Sequence, residues 1–120
     1  MSIEQGDTLV YCRASERTTV LDLDTDTGAH LQKALQLQLR QCEEFAEQLG
    51  YELVGHIEEI ADGADLERDG LYELYAYGEG GAIKRVLVTD PSRLSVVDEI
   101  LVTILHRLAA ADIEVVYATM

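Results

Sequence analysis

Four short runs rich in β-branched or aromatic residues, separated by segments of a different period, do most to limit the folds open to this chain. The runs are Thr8 to Cys12, Tyr51 to Ile57, Ile83 to Thr89 and Ile113 to Tyr117. Between the first two, Leu31, Leu35, Leu39, Cys42, Phe45, Ala46 and Leu49 recur at the spacing of one helix face, and Gly50 supplies the stop. A shorter helix is expected from Leu71 to Tyr77, ended by the glycines between 78 and 81. A third is expected where Val97, Ile100, Leu101, Ile104, Leu105 and Leu108 form a stripe, with Ser95 and Asp98 read as a capping box at its start. The stretch from Glu16 to Gly28, rich in Thr and Asp, has no sustained period and reads as a loop or loosely helical excursion. Strand and helix in this order predict a three-layer α/β domain, with a mostly parallel sheet of about four to five strands, right-handed crossovers and helices on both faces. At 120 residues, without internal repeat or linker, the chain is sized for one domain spanning 1–120.

In such sheets ligands sit at the carboxyl ends of the strands. The residues to watch are therefore Arg13 and Ser15, the stretch from Glu58 to Arg68, and the stretch from Asp90 to Ser95. A lone serine after a strand is more often a cap or surface residue than a nucleophile. Its neighbours alter that reading. Arg13, Arg68 and Arg93 all follow or end strands, so three of only seven arginines converge on one edge of the sheet, where guanidinium groups can clamp a phosphate. A serine facing clustered arginines suits attack on a phosphodiester.

Charge works against ordinary nucleic-acid binding. The chain carries 23 Asp and Glu against 9 Lys and Arg, a formal net charge of −14. This reads as a solvated acidic surface of the kind halophilic proteins carry, in preference to a site for a basic partner. Free-standing affinity for DNA is expected to be weak, because DNA binding rests on neutralising phosphates. The apolar runs fall short of a membrane span and no leader opens the chain, so a cytoplasmic location is expected. Cys12 and Cys42, without CxxC spacing, read as reduced, semi-buried thiols.

Other signals are weaker. Asp22, Asp24 and Asp26 echo the start of a calcium loop, but Thr27 and Lys33 occupy positions that need glycine and glutamate. His30, His56 and His106 lack metal-ligand spacing, and the glycines from 78 to 81 lack the Lys-Ser/Thr ending of a phosphate loop. Tyr72, Tyr75 and Tyr77 are spaced to pack helix against sheet rather than to stack on bases.

The ordered motifs carry a resemblance. Tyr11-Cys12-Arg13-Ala14-Ser15 is similar to the Y-x-R-x-S signature of the serine site-specific recombinases, the resolvase and invertase family. The segment from Gln38 through Cys42, Phe45 and Ala46 to Gly50-Tyr51 resembles the family's Q-x-x-x-C-x-x-Y-A stretch ending in G-W or G-Y. Asp62 to Leu71 resembles S-G-x-S-x-D-R-P-G-L, and Val88 to Ser95 resembles V-Y-K-L-D-R-L-S. The likeness runs in order from about residue 8 to 118 and implies a resolvase-like catalytic domain. It implies Ser15 as nucleophile, Arg13, Arg68 and Arg93 as catalytic arginines, and Tyr11, Gln38, Glu58 and Asp62 as supporting residues. It also implies DNA as partner, assembly into a dimer or tetramer, and no metal or nucleotide cofactor. This sequence departs from the pattern at Ser92, where the family has aspartate, and at Val96, where it has arginine. Asp62 replaces the family's serine, Glu58 fills the preceding acidic position, and a longer interval separates Ser15 from Gln38. The sequence ends at Met120, before the long helix and DNA-binding region that family members carry. A recombinase-fold module that no longer cuts, serving oligomerisation or regulation, is therefore the alternative to strand cleavage.

Overall fold

A computed structural model describes residues 7–15, 27–62, 64–65 and 68–119. The alternation read from the sequence becomes β1 (Thr8–Ala14), α1 (Thr27–Leu49), β2 (Leu53–Ile60), α2 (Asp69–Glu79), β3 (Arg85–Val88), α3 (Asp98–Ala110) and β4 (Glu114–Tyr117), with a 3₁₀ turn at Pro91–Arg93. The four strands form one sheet in the order β2-β1-β3-β4, and every neighbouring pair is parallel. The segment 16–26, with the loop expected there and the Asp22, Asp24 and Asp26 set, lies outside the described residues.

Alternation along β1 sends its side chains to two different cores. Leu9 and Tyr11 join Ile57, Val86 and Val88 beneath α2 and α3, whose Leu71, Leu74, Ile104 and Leu108 close that layer. Val10, Cys12 and Ala14 meet Leu31, Leu35, Cys42 and Ala46 of α1 on the opposite face. Helices thus cover both faces, and β1 is buried throughout because it has a strand on each side and a helix layer above and below. The first crossover leads outward to β2 and the second returns past β1 to β3. The sheet's direction of growth reverses at β1, and a crevice opens at its carboxyl end.

Helix ends follow local chemistry. Gly50 takes the left-handed conformation at φ 78° that stops α1, and the Tyr51 N–H returns to the Ala46 carbonyl at 2.9 Å. Gly78, inside α2, has another role: a Cβ there would sit 2.0 Å from Ile113 Cδ1, so only glycine lets α2 approach the start of β4. The expected capping box on α3 does not form. Val97 is the N-cap without a side-chain bond, and the Ser95 hydroxyl, two residues before the cap, instead accepts from the Val97 N–H at 3.0 Å.

Both cysteines are fully buried rather than semi-buried, and both are free thiols. Burial pushes each up to about 12, so neither is a thiolate at neutral pH. Of the three tyrosines expected to pack helix to sheet, only Tyr75 is buried. Tyr72 and Tyr77 are exposed because they fall on the outer face of α2. Among the described residues no helix is long and apolar enough to cross a membrane, and no group of side chains has the makings of a metal site.

Candidate active site at the carboxyl end of the sheet

The end of β1 is held by a side chain that imitates a strand. Ala14 turns its carbonyl toward β2, where the Ala61 N–H meets it at 3.0 Å, so the peptide groups of Arg13 face the side of β3. But β3 pairs with β1 only as far as Val10. The Gln38 carboxamide fills the place, accepting from the Arg13 N–H at 3.0 Å and donating to the Arg13 carbonyl at 2.9 Å. A carboxamide has one acceptor and one donor spaced like a peptide unit, which is why glutamine suits this buried position on α1.

The Arg13 side chain, 3% exposed, acts as a clamp. Its Nε, Nη1 and Nη2 donate to the carbonyls of Arg93, Ala61 and Ser92 at 3.0, 2.8 and 2.8 Å. The end of β1, the end of β2 and the 3₁₀ turn after β3 are thereby tied to one guanidinium. Arg93 reaches back, with Nη1 3.3 Å from the Arg13 carbonyl. Burial first, and the charge of Arg68 next, push the Arg13 guanidinium below its ordinary value. Three arginines crowd one crevice in a strongly acidic chain, and such repulsion is relieved when an anion enters.

Arg68 is the unusual member. It lies 2% exposed immediately before α2, and one Nη donates to the Leu94 carbonyl. Its Nε and other Nη are buried with no hydrogen-bond partner among the described residues. Leaving such donors unmet costs about 1–3 kcal/mol each.

Beside it, Tyr11 donates its hydroxyl to one oxygen of Glu59, whose other oxygen accepts from the Gly70 N–H. Burial holds the Tyr11 phenol far above its ordinary value, so it stays a donor. The resemblance implies Glu58 for this neighbourhood, yet Glu58 points to the opposite face, pairing with His56 at 3.9 Å. Glu59 is one residue farther along the strand and shares the face of Tyr11 and Arg13. Asp62 stays at its turn, accepting from the Ala64 N–H at 2.9 Å, and contributes a negative charge felt by Arg13. Ser15, half-buried, directly follows β1 at the mouth of the crevice and is held by a contact of its own.

A carboxylate lies beside Ser92. Asp90 caps the 3₁₀ turn, accepting from the Ser92 N–H at 3.0 Å and from the Ser92 hydroxyl, and lies 3.7 Å from Arg93 Nε. Desolvation raises its pKa, but the hydrogen bonds from Ser92 and Thr89 and the Arg93 charge outweigh this and hold the carboxyl below its ordinary 3.8. A depressed carboxylate contributes stability above its unfolded pKa and loses it as pH falls through the folded value. The acid limb of a melting-temperature profile, below pH 3.8, is therefore expected to be shallower in Asp90→Asn than in the parent protein. Val96, where arginine stands in the resembling motif, is 62% exposed, so a charge introduced there meets water rather than the core.

A doubly wound parallel sheet with Arg13, Arg68 and Arg93 gathered at the carboxyl end beside its switch point defines the class of this α/β domain. The family model for the resolvase N-terminal domain matches residues 8–120, and the chain belongs to that family. Its fold is shared with solved serine recombinase domains. The C-terminal catalytic domain of ISC1926 TnpA, an IS607-like serine recombinase, superposes with a TM-score of 0.72 at 22% identity, over 92% of this chain and 66% of that one. The N-terminal catalytic domain of TP901-1 integrase gives 0.69 at 21% identity, over 92% and 75%. A serine recombinase from Sulfolobus solfataricus gives 0.62 at 21% identity, over 95% and 69%. Comparison with the curated proteins by sequence gives no match.

Proposed function

We propose that this chain is the catalytic part of a serine recombinase, which cuts and rejoins DNA strands through a phosphoserine link at Ser15. The observation that carries the reading is the Arg68 guanidinium, buried with two unmet N–H groups beside Arg13 and Arg93, at the strand end that Ser15 follows. Donors fixed in advance and left unpaired in the resting protein are what a transferring phosphoryl group requires. In the scheme, Ser15 Oγ bonds to a backbone phosphorus as the bond from phosphorus to a sugar oxygen breaks, and the proton lost by the serine ends, by way of solvent, on the departing sugar oxygen, which leaves as a hydroxyl. Attack by a sugar hydroxyl of the incoming strand then reverses the step and frees the serine. Arg68 and Arg93 hold the equatorial oxygens, while Arg13 positions the turn that carries Arg93. The scheme calls on no metal and no nucleotide. DNA is delivered by a further binding region, the working form is a dimer or tetramer, the location is cytoplasmic, and the acidic surface serves solubility in high salt.

A module that no longer cuts is the second reading, favoured by Val96, which leaves the site one arginine short of its family pattern. A suicide DNA substrate separates the two. With a DNA-binding domain fused and molar salt present, the protein is expected to form a covalent adduct visible on a denaturing gel, which Ser15→Ala abolishes. Val96→Arg, alone or with Ser92→Asp, is expected to raise the yield by about tenfold or more, one positioned charge being commonly worth that in a phosphoryl transfer. No adduct from the parent or from a folded Val96→Arg variant would establish the non-cutting module.

A further inference from the structure

We propose that β2 is a self-pairing edge, through which two copies of this chain join antiparallel into one continuous eight-stranded sheet. β2 ends the strand order and has no neighbour on its outer side among the described residues. At eight residues it is twice the length of β4 on the other edge, and its Val54 and Ile60 are 48% and 42% exposed. Long, partly apolar edges of this kind pair with other chains unless something blunts them.

Hydrogen-bond parity leaves few registers. The Ala61 N–H points to β1, so the peptide groups of Ile57 and Glu59 also face inward, and those of His56, Glu58 and Ile60 face out. Antiparallel pairing must set an outward-facing residue opposite another. One allowed register puts Glu58 against Glu58 of the second copy, and another puts His56 against His56. The register between them sets each His56 against Glu58 of the second copy and each Val54 against its Ile60. Within one chain His56 and Glu58 already share a face, their side chains 3.9 Å apart. The two-fold therefore builds a four-membered cluster of alternating donors and acceptors, flanked by apolar pairs. Cross-strand pairs of both kinds favour a sheet, and like charges directly opposite disfavour it, so the sequence selects this register.

Gly55 sits where β2 slips by one residue against β1, between the pairing of Thr8 with Leu53 and that of Leu9 with Gly55, which accounts for a glycine in mid-strand. A Cβ there would meet nothing within 4 Å in its own chain, and in the selected register Gly55 lies opposite Glu59 of the second copy, so the arrangement places no clash at this position.

Sedimentation in molar salt, which screens the net charge of −14, tests the pairing. A concentration-dependent dimer is expected. Glu58→Lys should weaken it about tenfold, because symmetry changes two pairs at once, and adding His56→Glu to the same chain should restore it. The register has its own test in Val54→Cys and Ile60→Cys. Mixed, the two variants should form a disulfide between them, whereas neither should cross-link with itself. Circular dichroism confirms that each variant folds. A monomer at millimolar protein, a dimer indifferent to the charge exchange, or cross-linking within either cysteine variant alone would overturn the proposal.

Discussion

Arg68→Met is expected to make the protein more stable and to abolish its anion response. The substitution removes two buried N–H groups that have no partner and replaces a guanidinium with an apolar chain of similar length. It also gives up one hydrogen bond to the Leu94 carbonyl. Two unmet donors at about 1–3 kcal/mol each outweigh one hydrogen bond at about 1 kcal/mol, so the net gain is roughly 1–5 kcal/mol, on the order of 4–20 °C in melting temperature. The parent should melt higher in sulfate than in chloride at equal ionic strength, because a bound anion stabilises the state that binds it. In Arg68→Met that difference should vanish, and adduct formation should fall by about a hundredfold or more. A variant less stable than the parent, or one that kept the sulfate response, would show that Arg68 is a structural residue.

Glu59→Ala is expected to have the opposite effect on folding. One carboxylate satisfies both the Tyr11 hydroxyl and the Gly70 N–H, and a Cβ on Gly70 would lie only 2.7 Å from its carbon, so strand and helix close tightly around it. Truncation leaves two polar groups unmet and opens a void, at a cost of about 3–4 kcal/mol. Glu59→Gln keeps the volume and one acceptor but turns an amide donor toward a second donor, and should cost about half as much. Urea unfolding of the two variants beside Tyr11→Phe separates the contributions, and Glu58→Ala, which empties an exposed pair, should change little.

The contrast between those two glutamates shows where sequence reasoning stopped. Periodicity locates the four strands and three α-helices found among the described residues, since a change of period reports which faces are buried. It could not fix the end of β2, because the polar run after Ile57 carries no alternation, while parallel pairing with β1 continues to Ile60. The resemblance implies Glu58, and because a strand reverses face at every residue it is the neighbouring Glu59 that shares the face of Tyr11 and Arg13. Asp90 lies in a stretch the topology singles out, but the resembling motif directs attention to Ser92 and gives Asp90 no role, whereas the folded turn brings its carboxylate onto the Ser92 N–H and hydroxyl. Ser95 has the composition of a cap, yet the turn before α3 places its hydroxyl on the Val97 amide, and α3 begins two residues later than a Ser95 cap would start it. The arginines were legible because strand ends and residue types suffice to bring them to one edge. That two donors of Arg68 stay unmet is visible only in the fold.

Gln38 lends the sheet a rung that belongs to a helix. The 23 residues of α1 run about 35 Å at 1.5 Å per residue, and a grip at both the N–H and the C=O of Arg13 gears that rod to the strand beneath it. Sliding or rolling α1 by one residue would disengage both teeth together. The position of α1 along the sheet is thus pinned at the peptide two residues before Ser15, so the register of a helix and the shape of the crevice mouth share one fastening.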